Sequence, residues 1–113
     1  MKDDLAFIEH ILDSINAIEE FSKNLKKEKL ISDRLRQSAI VREIEIIGEA
    51  VKNISESLKN KHREVGWKEI VGTRDKMIRH CFGVDLNTIW DIIKIDLPDL
   101  KDKILKIKKE LIY

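Results

Sequence analysis

One apolar stripe near the middle of the chain constrains the fold most strongly. Its residues are Ile40, Ile44, Ile47, Val51, Ile54 and Leu58. Their 4-3-4-3-4 spacing is typical of a helix that packs along its whole length in a bundle. Beside it runs a second stripe of Leu35, Ala39, Val41, Ile46 and Ala50. A helix with two apolar sides is either central in its bundle or shared with a second subunit.

Two other features of this predicted helix concern its packing. Gly48 lies in its interior, where glycine costs up to about 1 kcal/mol relative to alanine, so close approach of a neighbouring backbone is a reason for it. Glu43, Glu45 and Glu49 form its polar face, and a glutamate turned toward the bundle would be well placed to orient an arginine.

Helix-start residues and apolar spacings predict five helices in all. They begin at Asp3 or Asp4, Ser32 or Asp33, Trp67, Asp85, and Asp96 with Pro98 in the first turn, and the first, second and third extend to about Lys23, Leu58 and His80. Lysine-rich residues 23–29 and polar residues 59–66 are predicted to be connections. The outcome is one all-α domain over residues 1–113, a length that a single core can support.

Composition supports this fold class and limits the setting of the protein. Charged residues make up 38% and hydrophobic residues 42%, with four glycines and one proline, which is typical of amphipathic helices. The net charge of +1 provides no global field toward nucleic acid or anionic lipid. The chain has one cysteine and no apolar run near the ~18 residues that span a bilayer, and we expect no signal peptide. We therefore expect a soluble, cytoplasmic protein with no membrane partner.

The segment Thr73–Asp85 concentrates the residue types that carry chemistry. It holds Arg74, Arg79, His80 and Cys81, the only cysteine. Residues 59–80 carry seven lysines or arginines against three acids, an excess of four positive charges. Such a patch can hold a phosphodiester locally, but it is too small for strong sequence-independent binding. A solvated helix face is the alternative interpretation of the same charges.

Metal chemistry is not expected from this sequence. Di-metal sites in helical bundles use Glu-x-x-His pairs, yet Phe7, Lys59 and Met77 stand three residues before the histidines. Neither zinc-ligand spacing nor a glycine-rich phosphate loop is present. We therefore expect no metal and no other cofactor.

Several sequence blocks, in this order, resemble the HepT-like group of HEPN-domain proteins. They are Ile47–Ala50, Trp67–Ile70, Arg74–Lys76, Phe82–Asp85, Ile89–Trp90 and Asp96–Leu100. The resemblance implies an HEPN-type up-and-down four-helix bundle with an extra short helix, usually dimeric. It also implies a ribonuclease toxin that cuts structured RNA such as tRNA without a metal, encoded beside a nucleotidyltransferase antitoxin.

The catalytic motif that the resemblance implies, Arg-x4-His-x-Tyr, is altered at its centre. Arg74 and Asp75 keep the start of the motif, whereas Arg79 occupies the histidine position and Cys81 the tyrosine position. His80 lies one residue later and gives Arg-x5-His, which fits the looser Arg-x4-6-His pattern of the wider superfamily. One residue turns a side chain by about 100° on a regular helix, so the shift bears on activity.

The chemistry can be assigned from the residue types. Cleaving RNA without a metal needs a base for the 2′-hydroxyl, an acid for the leaving 5′-oxygen and a cation for the phosphorane. His80 titrates near neutral pH and suits the acid or base role, while Arg74 stays protonated and suits the phosphate. Arg79 and Lys76 are the further substrate-binding candidates.

Helix geometry then favours a site shared between two chains. On a continuous helix, Arg74 and His80 would lie about 120° apart and would not share a face. A homodimer that places two copies of the segment beside one cleft would bring the groups together.

The resemblance also implies that the antitoxin transfers nucleotide onto the motif tyrosine. Cys81 has no hydroxyl, so we expect this control to be lost or altered. The alternative function is a catalytically silent HEPN module that binds RNA or a nucleotidyltransferase.

Overall fold

The computed structural model describes residues 3–79 and 85–113, with backbone alone for residues 77–79. Every regular element in these ranges is helical, which confirms the predicted all-α class. The long helices are α1 (Asp4–Ser22), α3 (Arg34–Asn53), α5 (Trp67–Arg79) and α7 (Leu97–Ile112). The short ones are α2 (Lys27–Ser32), α4 (Glu56–Lys61) and α6 (Leu86–Asp91). None of the helices described here is long and apolar enough to cross a membrane.

Helix α3 lies at the centre of the bundle. It packs against both α1 and α5, while α7 packs against α1. All six residues of the predicted stripe are buried, and Ile40 and Val51 have no exposed surface. The second stripe is covered unevenly, because Ala50 is buried but Leu35 is 82% exposed. The helix is therefore central, and the apolar side chain of Leu35 near its N-terminal end is exposed to solvent.

The predicted extension of this helix to Leu58 is wrong. Helix α3 ends at Asn53, Ile54 is extended, and Ser55 caps α4 by accepting a hydrogen bond from the Leu58 backbone N–H at 3.2 Å. The backbone N–H and the hydroxyl of Ser55 also donate to the Asp4 carboxylate at 2.9 and 2.6 Å. These bonds fix a break that the apolar spacing does not reveal, since Ile54 and Leu58 stay buried on either side of it.

Aspartate caps begin three helices at or next to the predicted positions. Asp3 accepts from the Ala6 N–H, Asp33 from the Arg36 N–H and Asp85 from the Asn87 N–H. Each bond satisfies a backbone donor that the first helical turn leaves free. The bond from the Arg36 N–H is also the main reason that the pKa of Asp33 lies below its usual value.

Helix α2 lies where the sequence predicted a lysine-rich connection. Its turn is anchored by the buried side chains of Leu25 and Leu30, and Asn24 adopts a left-handed conformation with φ 58° just before it. Asparagine tolerates that conformation better than most residues. The lysines of this segment therefore cover a short helix, although the segment still joins α1 to α3.

The predicted separate fifth helix is continuous with α6. Residues Ile92–Asp96 form a π-helical segment, and Asp96 is helical with no side-chain capping bond. The N–H of Leu97, the residue before Pro98, donates a hydrogen bond to the Ile92 carbonyl five residues earlier. Proline lacks an N–H and its ring crowds the carbonyl four residues earlier, and the wider π turn accommodates both.

A buried histidine lies between the segment before α5 and helix α7. His62 lies with Nδ1 3.3 Å from Glu64 Oε2 and Nε2 3.5 Å from Glu110 Oε2. The Trp67 indole N–H donates to the His62 carbonyl at 3.0 Å. Because Trp67 is the first residue of α5, these contacts fix where that helix starts.

Truncating the central stripe of α3 tests this architecture. Ile40→Ala should lower the free energy of unfolding by about 2–5 kcal/mol, because the removed atoms leave a cavity in a fully buried site. The matched control is Ile112→Ala at the end of α7, where the side chain is 51% exposed and the change should stay within about 0.5 kcal/mol. Denaturant unfolding measures both, and equal effects would contradict the assignment of α3 as the core helix.

Candidate functional site

Arg74 is placed by direct packing of α5 on α3. An ideal Cβ on Gly48 of α3 would overlap the Arg74 Cβ and lie 2.6 Å from its Cγ. Gly48 therefore provides the space that the stem of the arginine occupies. The predicted reason for this glycine was close approach of a neighbouring backbone, whereas the atoms next to it are those of a side-chain stem.

The guanidinium group of Arg74 is oriented by two carboxylates. Its Nη2 donates to Glu49 Oε2 at 2.9 Å and its Nη1 donates to Asp75 Oδ1 at 3.0 Å. The suggestion that a glutamate of the central helix orients an arginine is thus correct for Glu49. The Arg74 Nε is buried and has no hydrogen-bond partner among the described residues.

Burial differs across this ion-pair cluster. The Arg74 side chain is 21% exposed, whereas the Glu49 side chain is 58% exposed. The methylene stem is thus covered by the bundle while the charged head reaches water. Guanidinium has five N–H donors, so two bonds to carboxylates leave others to meet an oxyanion.

An open cleft of about 460 Å³ lies beside this arginine, between α1, α3 and α5. Lining residues with polar or aromatic side chains include Phe7, His10, Arg42, Glu45, Asn53 and Arg74. The rings of Phe7 and His10 meet edge to face, with centroids 6.0 Å apart and planes at 88°. The cleft combines cationic, aromatic and amide groups with the carboxylates of Glu45 and Glu49, a mixture that suits a polar ligand with an aromatic ring better than an apolar molecule.

Two of the other predicted site residues, Asp75 and Lys76, have described side chains on α5. Asp75 contacts Arg74, and the following residue of α5, Lys76, is exposed. Arg79 is the last residue of α5, and its side chain is not described. His80 and Cys81 lie outside the described residues. The pairing of Arg74 with His80 therefore stays a prediction.

The local positive excess of residues 59–80 is reduced by partners elsewhere in the chain. Lys59 Nζ lies 3.8 Å from Glu56 Oε1. Lys61 Nζ lies 3.9 Å from Glu110 Oε1, and Arg74 bonds Glu49 as described above. The segment consequently offers a few positioned cations rather than a broad basic surface.

Sequence reasoning missed the contribution of α1 and the early part of α3. His10 was considered only as a metal ligand, and Phe7 and Arg42 were not considered as site residues. The spacing of Phe7 and His10 places them on one face of α1, which is a weak signal by itself. Only the packing of α1 against α3 brings them to the cleft beside Arg74.

Among the described residues, no group of three or more histidine, cysteine, aspartate or glutamate side chains could hold a metal ion. The chemistry of the described part of the cleft is that of an arginine with oriented donors.

Comparison with known proteins identifies the family. Residues 11–107 match the family model described as "Ribonuclease HepT-like". The chain belongs to the HepT-like ribonuclease family. The resemblance inferred from the sequence blocks is therefore confirmed, and the HepT-like match spans α3, α5 and most of α1 and α7.

Curated relatives extend the HepT-like match over nearly the whole chain. A "Probable ribonuclease HepT" of Thermococcus cleftensis is 42% identical over 91% of this chain and 94% of its own length. A "Putative RNase" of Caldanaerobacter subterraneus is 40% identical over 95% of this chain and 96% of its own length. A "Gamma-glutamylcyclotransferase and putative RNase" of Methanocaldococcus jannaschii is 44% identical over 97% of this chain, which spans only 50% of that relative. No solved structure matches the chain.

Substitution of Gly48 tests the packing that places Arg74. Gly48→Ala should destabilise the protein by about 1–3 kcal/mol, because the new methyl group must displace the Arg74 stem and with it α5. Thermal and denaturant unfolding measure the change.

Gly72 of α5 is the matched control. A Cβ there would meet nothing within 4 Å, so Gly72→Ala should raise stability by up to about 1 kcal/mol through helix propensity. A gain for Gly48→Ala similar to that for Gly72→Ala would rule out the close-packing account.

Proposed function

We propose that this protein is an endoribonuclease that cleaves RNA without a metal ion, with Arg74 binding the reacting phosphate. The observation that carries the proposal is the arrangement of Arg74 over Gly48, with Glu49 and Asp75 orienting its donors at an open cleft. Two relatives whose matches cover more than 90% of this chain are named as ribonucleases, which supports RNA cleavage as the reaction.

In the proposed reaction, the 2′-oxygen of a ribose attacks the adjacent phosphorus after a base removes its proton. The bond from phosphorus to the 5′-oxygen breaks, and an acid protonates that oxygen. The products are a 2′,3′-cyclic phosphate and a free 5′-hydroxyl. Donors preorganised where negative charge develops supply a large share of catalysis, and Arg74 is assigned this role. His80 is assigned the acid or base role, with Arg79 and Lys76 binding flanking phosphates.

We further propose that the protein is the toxin of a toxin–antitoxin pair, acting in the cytoplasm with a nucleotidyltransferase as antitoxin. The proposal follows from the HepT-like family and from the preserved Arg74-Asp75-Lys76 block. Because Cys81 replaces the tyrosine expected at its position, we propose that control by nucleotide transfer is lost or altered. The proposed substrate class is structured RNA such as tRNA.

A homodimer is the proposed assembly. Leu35 at the start of α3 is exposed, and Val41 of the same apolar stripe is half-buried. A second copy packed there would cover these side chains, and two-fold symmetry would give each cleft a neighbouring copy of the Thr73–Asp85 segment. Residues from two chains could then complete one site.

The second candidate function is a catalytically silent module that binds RNA or a nucleotidyltransferase. Both Nη atoms of Arg74 bond carboxylates, and Arg79 occupies the histidine position of the motif. Under this alternative the carboxylates hold Arg74 as a structural bridge between α3 and α5.

Cleavage of purified RNA in excess chelator separates the two candidates. The proposal predicts cutting by wild type, a loss of roughly 10²- to 10³-fold in Arg74→Ala, and a loss of roughly 10²- to 10⁴-fold in His80→Ala. Arg34→Ala is the control, since Arg34 is an exposed arginine on α3 that does not line the cleft, and its rate should be unchanged. Absence of cutting by pure wild-type protein would support the silent module.

Light scattering at micromolar concentration tests the assembly. The proposal predicts twice the chain mass of 13.3 kDa for wild type and a shift toward monomer for Leu35→Glu. Lys52→Glu, an exposed change near the other end of α3, is the control for added charge. A monomeric wild type would contradict the homodimer.

A further inference from the structure

The cleft beside Arg74 contains groups that the proposed cleavage chemistry does not use. Phe7 and His10 enter it from α1, and Arg42 and Asn53 enter it from α3. None of these residues belongs to the motif around Arg74. Their chemical types and their shared location indicate a binding function of their own.

The aromatic pair offers ring surface at the rim. Phe7 is half-buried against the core and His10 is exposed, with their rings in an edge-to-face contact. In an edge-to-face pair the partner covers neither face of the ring that meets it edge-on, whereas stacking covers one face of each ring. Bases splayed out of single-stranded RNA stack on such side chains, with little dependence on sequence.

Arg42 supplies a second cation in the same cleft. Its side chain is exposed, and no ion pair among the residues described here involves it. Arg42 precedes Glu49, the partner of Arg74, by seven residues, or about 10 Å along the helix axis. The two arginines therefore differ, because Arg74 is fixed by carboxylates while Arg42 is available to bind phosphate.

The carboxylates in the cleft limit how strongly an anion can bind. Glu45 lines the cleft one turn of α3 beyond Arg42, and Glu49 is already bonded to Arg74. Glu45 therefore opposes a phosphate at Arg42 through like-charge repulsion. Binding must then depend on stacking together with one or two phosphate contacts, rather than on a strong positive field.

We propose that this cleft is a subsite for one nucleotide of single-stranded RNA next to the phosphate at Arg74. The base lies against the Phe7–His10 pair, and its phosphate is bound by Arg42. This inference rests on the proposed function, since it assigns the substrate strand that Arg74 would act on. It also predicts that cleavage occurs at unpaired nucleotides.

Binding of an RNA analogue that cannot be cleaved tests the subsite separately from catalysis. The probe is a short, fluorescein-labelled, single-stranded oligonucleotide of mixed sequence with 2′-O-methyl groups, which removes the attacking hydroxyl. Anisotropy titrations over a salt series give the Kd and the slope of log K against log salt for the full-length protein.

The expected result distinguishes the roles of the cleft residues. Arg42→Ala should weaken binding about tenfold and reduce the steepness of the salt slope by about 0.7, the value for one phosphate contact on a single strand. Phe7→Leu should weaken binding with no change of slope. Glu45→Gln should tighten binding, which a general loss of structure could not produce.

Matched controls guard against indirect effects. Arg34→Ala removes an exposed arginine of the same helix, and Phe21→Leu shortens the other half-buried phenylalanine of α1. Both should leave Kd and slope unchanged, and thermal melting confirms that each variant is folded.

The inference is overturned if wild type does not bind the probe, if Arg42→Ala keeps the wild-type Kd and slope, or if the controls weaken binding equally. Failure of the proposed function has a different signature. In that case the binding results appear as expected while natural RNA remains uncut.

Discussion

The packing of the Arg74 stem into the space over Gly48 is the contact on which both the bundle and the site depend. It lets α5 approach the central helix closely, and it delivers the guanidinium group to the next residue of α3, Glu49. A side chain at position 48 would separate the two helices and withdraw the arginine at the same time. Stability and the proposed function are therefore coupled through one residue pair, and glycine in mid-helix has a positional reason that outweighs its propensity cost.

The carboxylates around Arg74 have two opposing effects. They fix the rotamer, so that little order remains to be created when a phosphate arrives, and such preorganisation favours catalysis. They also neutralise much of the charge that would attract the substrate. The Nε–H is buried, but two Nη–H groups are not used by Glu49 and Asp75, so a phosphate can bind without breaking either contact. In the proposed subsite, the aromatic pair and Arg42 would supply the affinity that Arg74 alone would lack.

The sequence predicted the parts of this fold that depend on local chemistry. The buried stripe of α3 followed from its spacing, and the cap at Asp85 followed from a short acceptor before an apolar run. The break at Ser55 was missed because it depends on the carboxylate of Asp4, which is distant in sequence. The π segment was missed because an aspartate with a proline two residues later is also a common sign of a helix start.

The candidate site was likewise predicted only in part. Arg74 could be proposed from the sequence, because the motif around it and the glycine within α3 are both visible as local sequence patterns. Phe7, His10 and Arg42 could not, because only the packing of α1 on α3 places them in one cleft. A crystal structure of the protein with an uncleavable 2′-O-methyl RNA strand tests the account most directly. The account predicts a phosphate oxygen about 2.7–2.9 Å from an Arg74 Nη, in the cleft between α1 and α3. A strand bound on another face, with Arg74 contacting only Glu49 and Asp75, would contradict it.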